Sequence, residues 1–143
     1  MAKVAVIAGD GIGKEVIPAG IEVLKKTAAI CGASIEFVEF PWGCDFYLRT
    51  GRMMDEDGFE RLKDFDAIYL GAIGDPRVPD HVSVWQLILP IRQRFDQYVN
   101  LRPMRLVPGA ATPLAGRSAA DIDMVCVREN SEGEYAGIGG TLH

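Results

Sequence analysis

Val4 to Ala8 is an unbroken apolar run closed by the glycine-rich stretch Gly9 to Gly13, the pattern of a strand buried on both faces and ending in a turn. Val16, Ile17, Ala19, Gly20, Val23 and Leu24 then recur at helical spacing to about Ala29, with Pro18 expected to limit or bend the first turn. Ile35 to Phe40 is a second β-rich run, stopped by Pro41, and Asp55 to Phe65 has the spacing of an amphipathic helix with Phe59 and Leu62 inward. A third strand runs from Asp66 and opens into glycines at Gly71 and Gly74. Ser83 suits the N-cap of a helix through Trp85, Leu87, Ile88, Leu89 and Ile91 to about Asp96, with an irregularity at Pro90.

From Tyr98 the texture changes. Val99 to Leu106, Ile122 to Arg128 and Gly133 to Ile138 read as strands, separated by a Pro/Gly/Ala loop around Pro108 to Gly116 and with no helical spacing between them. Strands alternating with helices and ending in glycine turns predict an α/β fold with a parallel sheet, whose ligands gather at the strands' carboxyl ends. The expected division is 1–98, the first part of a large α/β domain, and 99–143, the start of a second, β-rich domain that looks unfinished at His143. The boundary itself is placed near 97–100.

Composition narrows the function classes. With 143 residues, 48% hydrophobic and 24% charged, the chain can bury one modest core. A formal charge of -5 argues against a nucleic-acid or anionic-membrane surface, so any anion must be held locally. Cys31, Cys44 and Cys126 form no CxxC pair and read as reduced thiols of a cytoplasmic protein, not as disulfides or a zinc site. The apolar run at the start is far too short for a signal h-region or a membrane span.

The glycine turns invite two phosphate-binding readings, and both fail on spacing. Counting G-x-G-x-x-G from Gly9 and Gly11 puts Lys14 in the third glycine's place, and a P-loop ending at Lys14 would need glycine at Ala8 and Ser or Thr at Glu15. A tight strand-to-helix turn is at least as good a reading as ligand contact, and the same holds for Gly71 to Pro76. His81 and His143 have no metal-like partner spacing, and no residue is nominated as a metal ligand.

Arg92, Arg102 and Arg128 offer guanidinium forks that bind carboxylates bidentately and stay charged, which suits a small di-acid. Singly, Arg92 could complement a helix C-terminus, and Arg102 and Arg128 could be solvated strand residues or partners of Glu129 or Asp123. Composition and spacing leave these alternatives open.

Four segments occur in order along the chain: GDGIGKEV from Gly9, GAIGDP from Gly71, NLRP from Asn100 and VRENSEGEY from Val127. Together they resemble the isocitrate and isopropylmalate dehydrogenase family, the metal-dependent β-decarboxylating dehydrogenases. Within it, SVWQLILPIR from Ser83, FDQYVNLRP from Phe95 and DIDMVCVREN from Asp121 look most like the branch acting on tartrate and D-malate. The resemblance implies an isopropylmalate-dehydrogenase-like fold and an NAD-dependent oxidation, with decarboxylation, of a small 2-hydroxy dicarboxylate. It implies that Arg92, Arg102 and Arg128 hold the substrate carboxylates and that Tyr135 protonates the enolate carbon after carbon dioxide leaves. Ile12, Ala72 and Ile73 would border the NAD, and Mn2+ or Mg2+, with K+ as a candidate monovalent ion, would complete the chemistry. Trp85, on the helix that touches the distinguishing substituent, would leave less room and favour tartrate or D-malate; ordinary core packing is an equal reading of this residue.

The family's subunit is more than twice this long, and the resemblance stops just after Tyr135. Its basic lysine, metal-binding aspartates and adenosine-embracing segment are not found here, and in relatives the lysine and one aspartate come from the partner of a homodimer. The chain alone is therefore expected to lack turnover, to be the N-terminal part of a longer enzyme, and to self-associate through open edges and apolar faces. The enzyme alternatives are 3-isopropylmalate and isocitrate oxidation. Outside catalysis, a dicarboxylate-binding module or an inactive partner subunit fits the same residues.

Overall fold

The computed structural model of the chain describes residues 1–141, so His143 lies outside the described residues. Contacts divide the chain into two compact units, Met1–Ile91 and Arg92 onward. The first contains β1 (Ala2–Gly9), α1 (Gly13–Ile30), β2 (Ile35–Glu39), α2 (Cys44–Thr50), α3 (Gly58–Leu62), β3 (Ala67–Ala72) and α4 (Asp80–Ser83). Its sheet is parallel with order β2-β1-β3, which explains why β1 is apolar throughout: it is the central strand, and Ala5, Val6 and Ile7 are buried. Ile17 and Ile21 of α1 pack on Val6, with Phe37 and Tyr69 at the margin. Gly20 makes room there, because a Cβ would lie 2.0 Å from the Tyr69 hydroxyl and the tyrosine would have to shift. Pro18, expected to limit or bend the first turn, does not end α1, which continues to Ile30.

Because β2 and β3 flank β1 on opposite sides, the crevice at a change of winding direction lies between the carboxyl ends of β1 and β3. Elsewhere in this unit, the helix expected over Asp55 to Phe65 shrinks to Gly58–Leu62. Asp55 is drawn off to accept from Trp42 Nε1 at 3.1 Å and from Arg61 at 2.6 Å, so it serves the Trp42 packing instead of a first helical turn. Phe59 is half-buried and Leu62 fully buried, as the amphipathic spacing required.

Ser83 does not start the next helix. The helical run begins at Asp80 after Pro79, and the buried Ser83 hydroxyl donates to Asp80 O at 3.1 Å. Val84–Ile88 is a π-helical segment, followed by α5 (Leu89–Arg94). Pro90 has no N–H and its ring crowds the carbonyl a turn earlier, and widening the preceding turn relieves both. The two units divide inside α5, while the change of texture near 97–100 marks where strand replaces helix.

The second unit is built on an antiparallel pair, β4 (Val99–Arg105) and β5 (Asp123–Glu129), in which Asn100 faces Arg128 and Arg102 faces Cys126. The strand expected over Gly133 to Ile138 is absent: Gly133–Tyr135 is a 3-10 turn. Gly133 adopts φ +63° and the Glu129 carboxylate accepts the N–H groups of Ser131 and Glu132 at 2.8 and 2.7 Å, turning the chain back before a strand can form.

Candidate active site

In the first unit the two glycine turns meet. Gly9 and Ala72 are register partners, and Asp10 N donates to Ala72 O at 2.7 Å. A Cβ on Gly9 or Gly13 would lie 2.2 Å from Ala72 O or 2.1 Å from Ala8 O, so these glycines serve backbone approach, the bland alternative to phosphate contact. Gly11 is different, with open space around it and φ +48°. Beside it Ile12 is 58% exposed, and Ala72 is exposed with Ile73 half-buried. The cofactor residues expected from sequence thus all border the neighbouring turns after β1 and β3.

Asp10 organises these turns. It is only 3% exposed, and its carboxylate accepts from Cys44 N at 2.9 and 3.0 Å and from Gly74 N at 3.1 Å. Charge-assisted bonds of this kind contribute roughly 1.5–3 kcal/mol each. Around it Lys14 pairs with Asp45 at 2.5 Å, and Arg77 pairs with Asp45 at 3.0 Å and Asp75 at 2.7 Å. Arg77 pulls the Asp75 carboxyl down to about 2, and Lys14, followed by Arg77, lowers Asp45. Lys14 is therefore engaged by a carboxylate, consistent with the failed P-loop spacing. Burial, reinforced by the Asp10 carboxylate, pushes the Cys44 thiol up to about 12.

The second unit contains all of Arg92, Arg102, Arg128 and Tyr135. Strand alternation puts Asn100, Arg102, Cys126 and Arg128 on one face of the β4–β5 pair and Leu101, Pro103, Val125 and Val127 on the other. Arg128 Nη2 donates to the Tyr135 hydroxyl, and its guanidinium carbon lies 5.5 Å from the ring centroid. Arg92 comes from α5, half-buried, beside a cavity of about 520 Å³ shared with Asn100 and Asn130. Its pKa is lowered by burial first, then by the like charges of Arg128 and, more weakly, Arg102, while Tyr135 opposes the shift.

Internal anions offset these guanidiniums little; Arg92 and Arg128 are half-buried, whereas Arg102 is exposed, as a solvated strand residue would be. Glu134 approaches Arg128 only to 3.9 Å, and among the described residues Arg92 and Arg102 form no ion pair. Arg102 is not paired with Asp123, whose ion-pair partner is Arg105 at 3.8 Å. Positive charge at Arg92 and Arg128 beside the Tyr135 hydroxyl, with few internal anions, is chemically suited to a carboxylate ligand. No metal donor set accompanies it: among the described residues no three His, Cys, Asp or Glu side chains cluster to hold an ion.

Trp85 is 45% exposed within the π-helical segment, so it is not a packed core residue of its unit. Two supporting residues were not foreseen. Gln93 Nε2 donates to Ser131 O at 3.2 Å and Tyr135 O at 3.1 Å, and buried Asn130 donates to Gln97 O at 2.7 Å. An isolated Gln after an Arg carries no pattern, whereas the Asn in RENSEG, before a run of turn-forming residues, was a usable signal.

Residues 3–142 match the isocitrate/isopropylmalate dehydrogenase family. A tartrate dehydrogenase/decarboxylase of Pseudomonas putida is 53% identical over 142 residues, covering 98% of this chain and 39% of that protein. A decarboxylating D-malate dehydrogenase of Escherichia coli (strain K12) is 52% identical over 143 residues, 99% of this chain and 40% of that protein. The chain thus spans about 40% of the length of these relatives. Among solved structures, a beta-decarboxylating dehydrogenase from Thermococcus kodakarensis in its apo form superposes with TM-score 0.67 at 32% identity, over 93% of this chain and 35% of that one. A protein from Thermus thermophilus gives TM-score 0.70 at 33% identity, over 95% and 26%.

Proposed function

Because this chain belongs to the isocitrate/isopropylmalate dehydrogenase family, we propose that it forms part of an NAD-dependent decarboxylating dehydrogenase acting on tartrate or D-malate. The observation that carries this reading is the grouping of half-buried Arg92 and Arg128 with Tyr135, with the exposed Arg102 acting more weakly on Arg92. The guanidiniums bind the two carboxylates and fix the acid's orientation. Tyr135 holds the proton that goes to the substrate carbon vacated by carbon dioxide. Its oxygen accepts from Arg128, which leaves the O–H free to be donated and stabilises the phenolate that remains.

Ile12, Ala72 and Ile73 form an accessible border at the carboxyl ends of β1 and β3, the place where parallel sheets bind nucleotides, and they fit the NAD role. When bound, NAD accepts the hydride from the hydroxyl-bearing carbon. This chain offers no donor set for Mn2+ or Mg2+ among its described residues, and the proposal places those ligands, and any K+ site, outside it. A homodimer and a cytoplasmic location belong to the same reading; the free thiols Cys31 and Cys126, both exposed, agree with the latter.

A chimera tests the proposal: these 143 residues replace the matching 40% of the Escherichia coli D-malate dehydrogenase. The expected result is NADH formation with D-malate or tartrate, lost on Arg128→Ala. An active chimera that prefers 3-isopropylmalate or isocitrate would contradict the assigned substrate.

A further inference from the structure

We propose that Gln93 is a positioning residue that registers the helix-borne Arg92 with Tyr135. Arg92 arrives on α5, whereas Tyr135 arrives on the turn after β5, and nothing in the sheet pairing fixes one against the other. Gln93, the next residue after Arg92, spans that gap: its Nε2 donates to the carbonyls of Ser131 at 3.2 Å and Tyr135 at 3.1 Å. Both amide hydrogens are used, and they grip the turn at its two ends. Two carbonyl oxygens can be faced only by the NH2 end of the amide, so its orientation is set chemically.

The rest of the turn is held differently. Glu129 accepts the N–H groups of Ser131 and Glu132, and Tyr135 N donates to Glu132 O at 3.1 Å. Those contacts define the shape of the turn but do not tie it to α5. Asn130 Nδ2, donating to Gln97 O at 2.7 Å, anchors the residue before the turn to the chain just beyond α5, and Gln93 ties α5 to the turn itself, so that the Tyr135 hydroxyl stays within reach of Arg128 while Arg92 keeps its place in the same field. The inference gives Gln93 a catalytic consequence only if the proton-donor reading of Tyr135 holds. The tie itself can be tested without substrate.

The experiment compares the full chain with Gln93→Met, which has similar length and no donor, and Gln93→Glu, which is nearly isosteric. NMR cross-relaxation between the side chain at position 93 and the backbone of Ser131 to Tyr135, read beside that between the Arg128 side-chain N–H groups and the Tyr135 ring, reports the tie and its effect on the hydroxyl, and calorimetry with D-malate reports its consequence. In Gln93→Met the Arg128–Tyr135 signals are expected to be lost and D-malate affinity to fall about tenfold, while β4–β5 cross-strand signals persist. In Gln93→Glu the signals should be lost near neutral pH, where the carboxylate can only accept, and return in part below pH ~4, where a protonated carboxyl donates its one hydrogen to one of the two carbonyls. Glu129, Glu132 and Glu134 are the other carboxylates on or beside this turn, so the wild-type series over the same pH range isolates position 93.

Persistent Arg128–Tyr135 signals in both variants at neutral pH would overturn the proposal. So would their loss together with the β4–β5 signals, which would make Gln93 a general stabiliser. Signals that behave as expected in a chain that does not bind D-malate would uphold the tie and overturn the substrate assignment.

Discussion

Arg92 is held half-buried against two like charges, and such a group is stabilised by an anion that reaches it. Replacing Arg128 or Arg92 with Lys removes the planar fork but keeps the charge. Dicarboxylate affinity should then fall roughly 10- to 100-fold, corresponding to ~1.5–3 kcal/mol for a charge-assisted pair, as read by calorimetry. Cys44 makes a contrasting residue-scale prediction. Its folded pKa is raised from 9.0 to about 12, so above pH 9 the unfolded chain releases this proton before the folded one does. The corresponding stability is fully present below 9.0 and is lost as pH rises towards about 12, which denaturant titrations in that window will show. At neutral pH, brief alkylation should label the exposed Cys31 and Cys126 and spare buried Cys44, because the thiolate is the nucleophile.

Between elements, Asp10 ties the turn after β1 to the start of α2 and the turn after β3. Asp10→Ala leaves the Cys44 and Gly74 N–H groups without this acceptor and should cost about 2–5 kcal/mol of stability in chemical denaturation. This tie also explains what the sequence did not reveal. The main strands and α1 were legible because β1 is apolar on both faces and α1 presents Ile17 and Ile21 at helical spacing. The short α2 was missed because Gly43 gives it no side-chain cap, and a carboxylate 34 positions earlier in the chain accepts the Cys44 N–H instead. The turn at Gly133 looked like a strand because local propensity does not report the Glu129 carboxylate reaching forward to Ser131 and Glu132. The arginines and Tyr135 could be found as spaced motifs, but their mutual field depends on the β4–β5 register and on α5, which single positions do not encode.

Across the whole molecule, two features bear on behaviour in solution. Leu101, Val125 and Val127, on the sheet face opposite Arg102 and Arg128, are 63%, 57% and 68% exposed. Light scattering is expected to show concentration-dependent association of this chain, and a strict monomer across the range would count against it. No described helix is long and apolar enough to cross a membrane. Under the proposed function the chain supplies the acid-binding and proton-holding groups, while among its described residues no three His, Cys, Asp or Glu side chains cluster to hold a metal, so binding should be separable from turnover. The deciding measurement is calorimetric titration of D-malate and tartrate into this chain without metal or NAD, beside the Arg92→Lys and Arg128→Lys variants. Saturable one-to-one binding that weakens in both variants is the predicted result, and no binding, or binding indifferent to both substitutions, would contradict a dicarboxylate site built on these arginines.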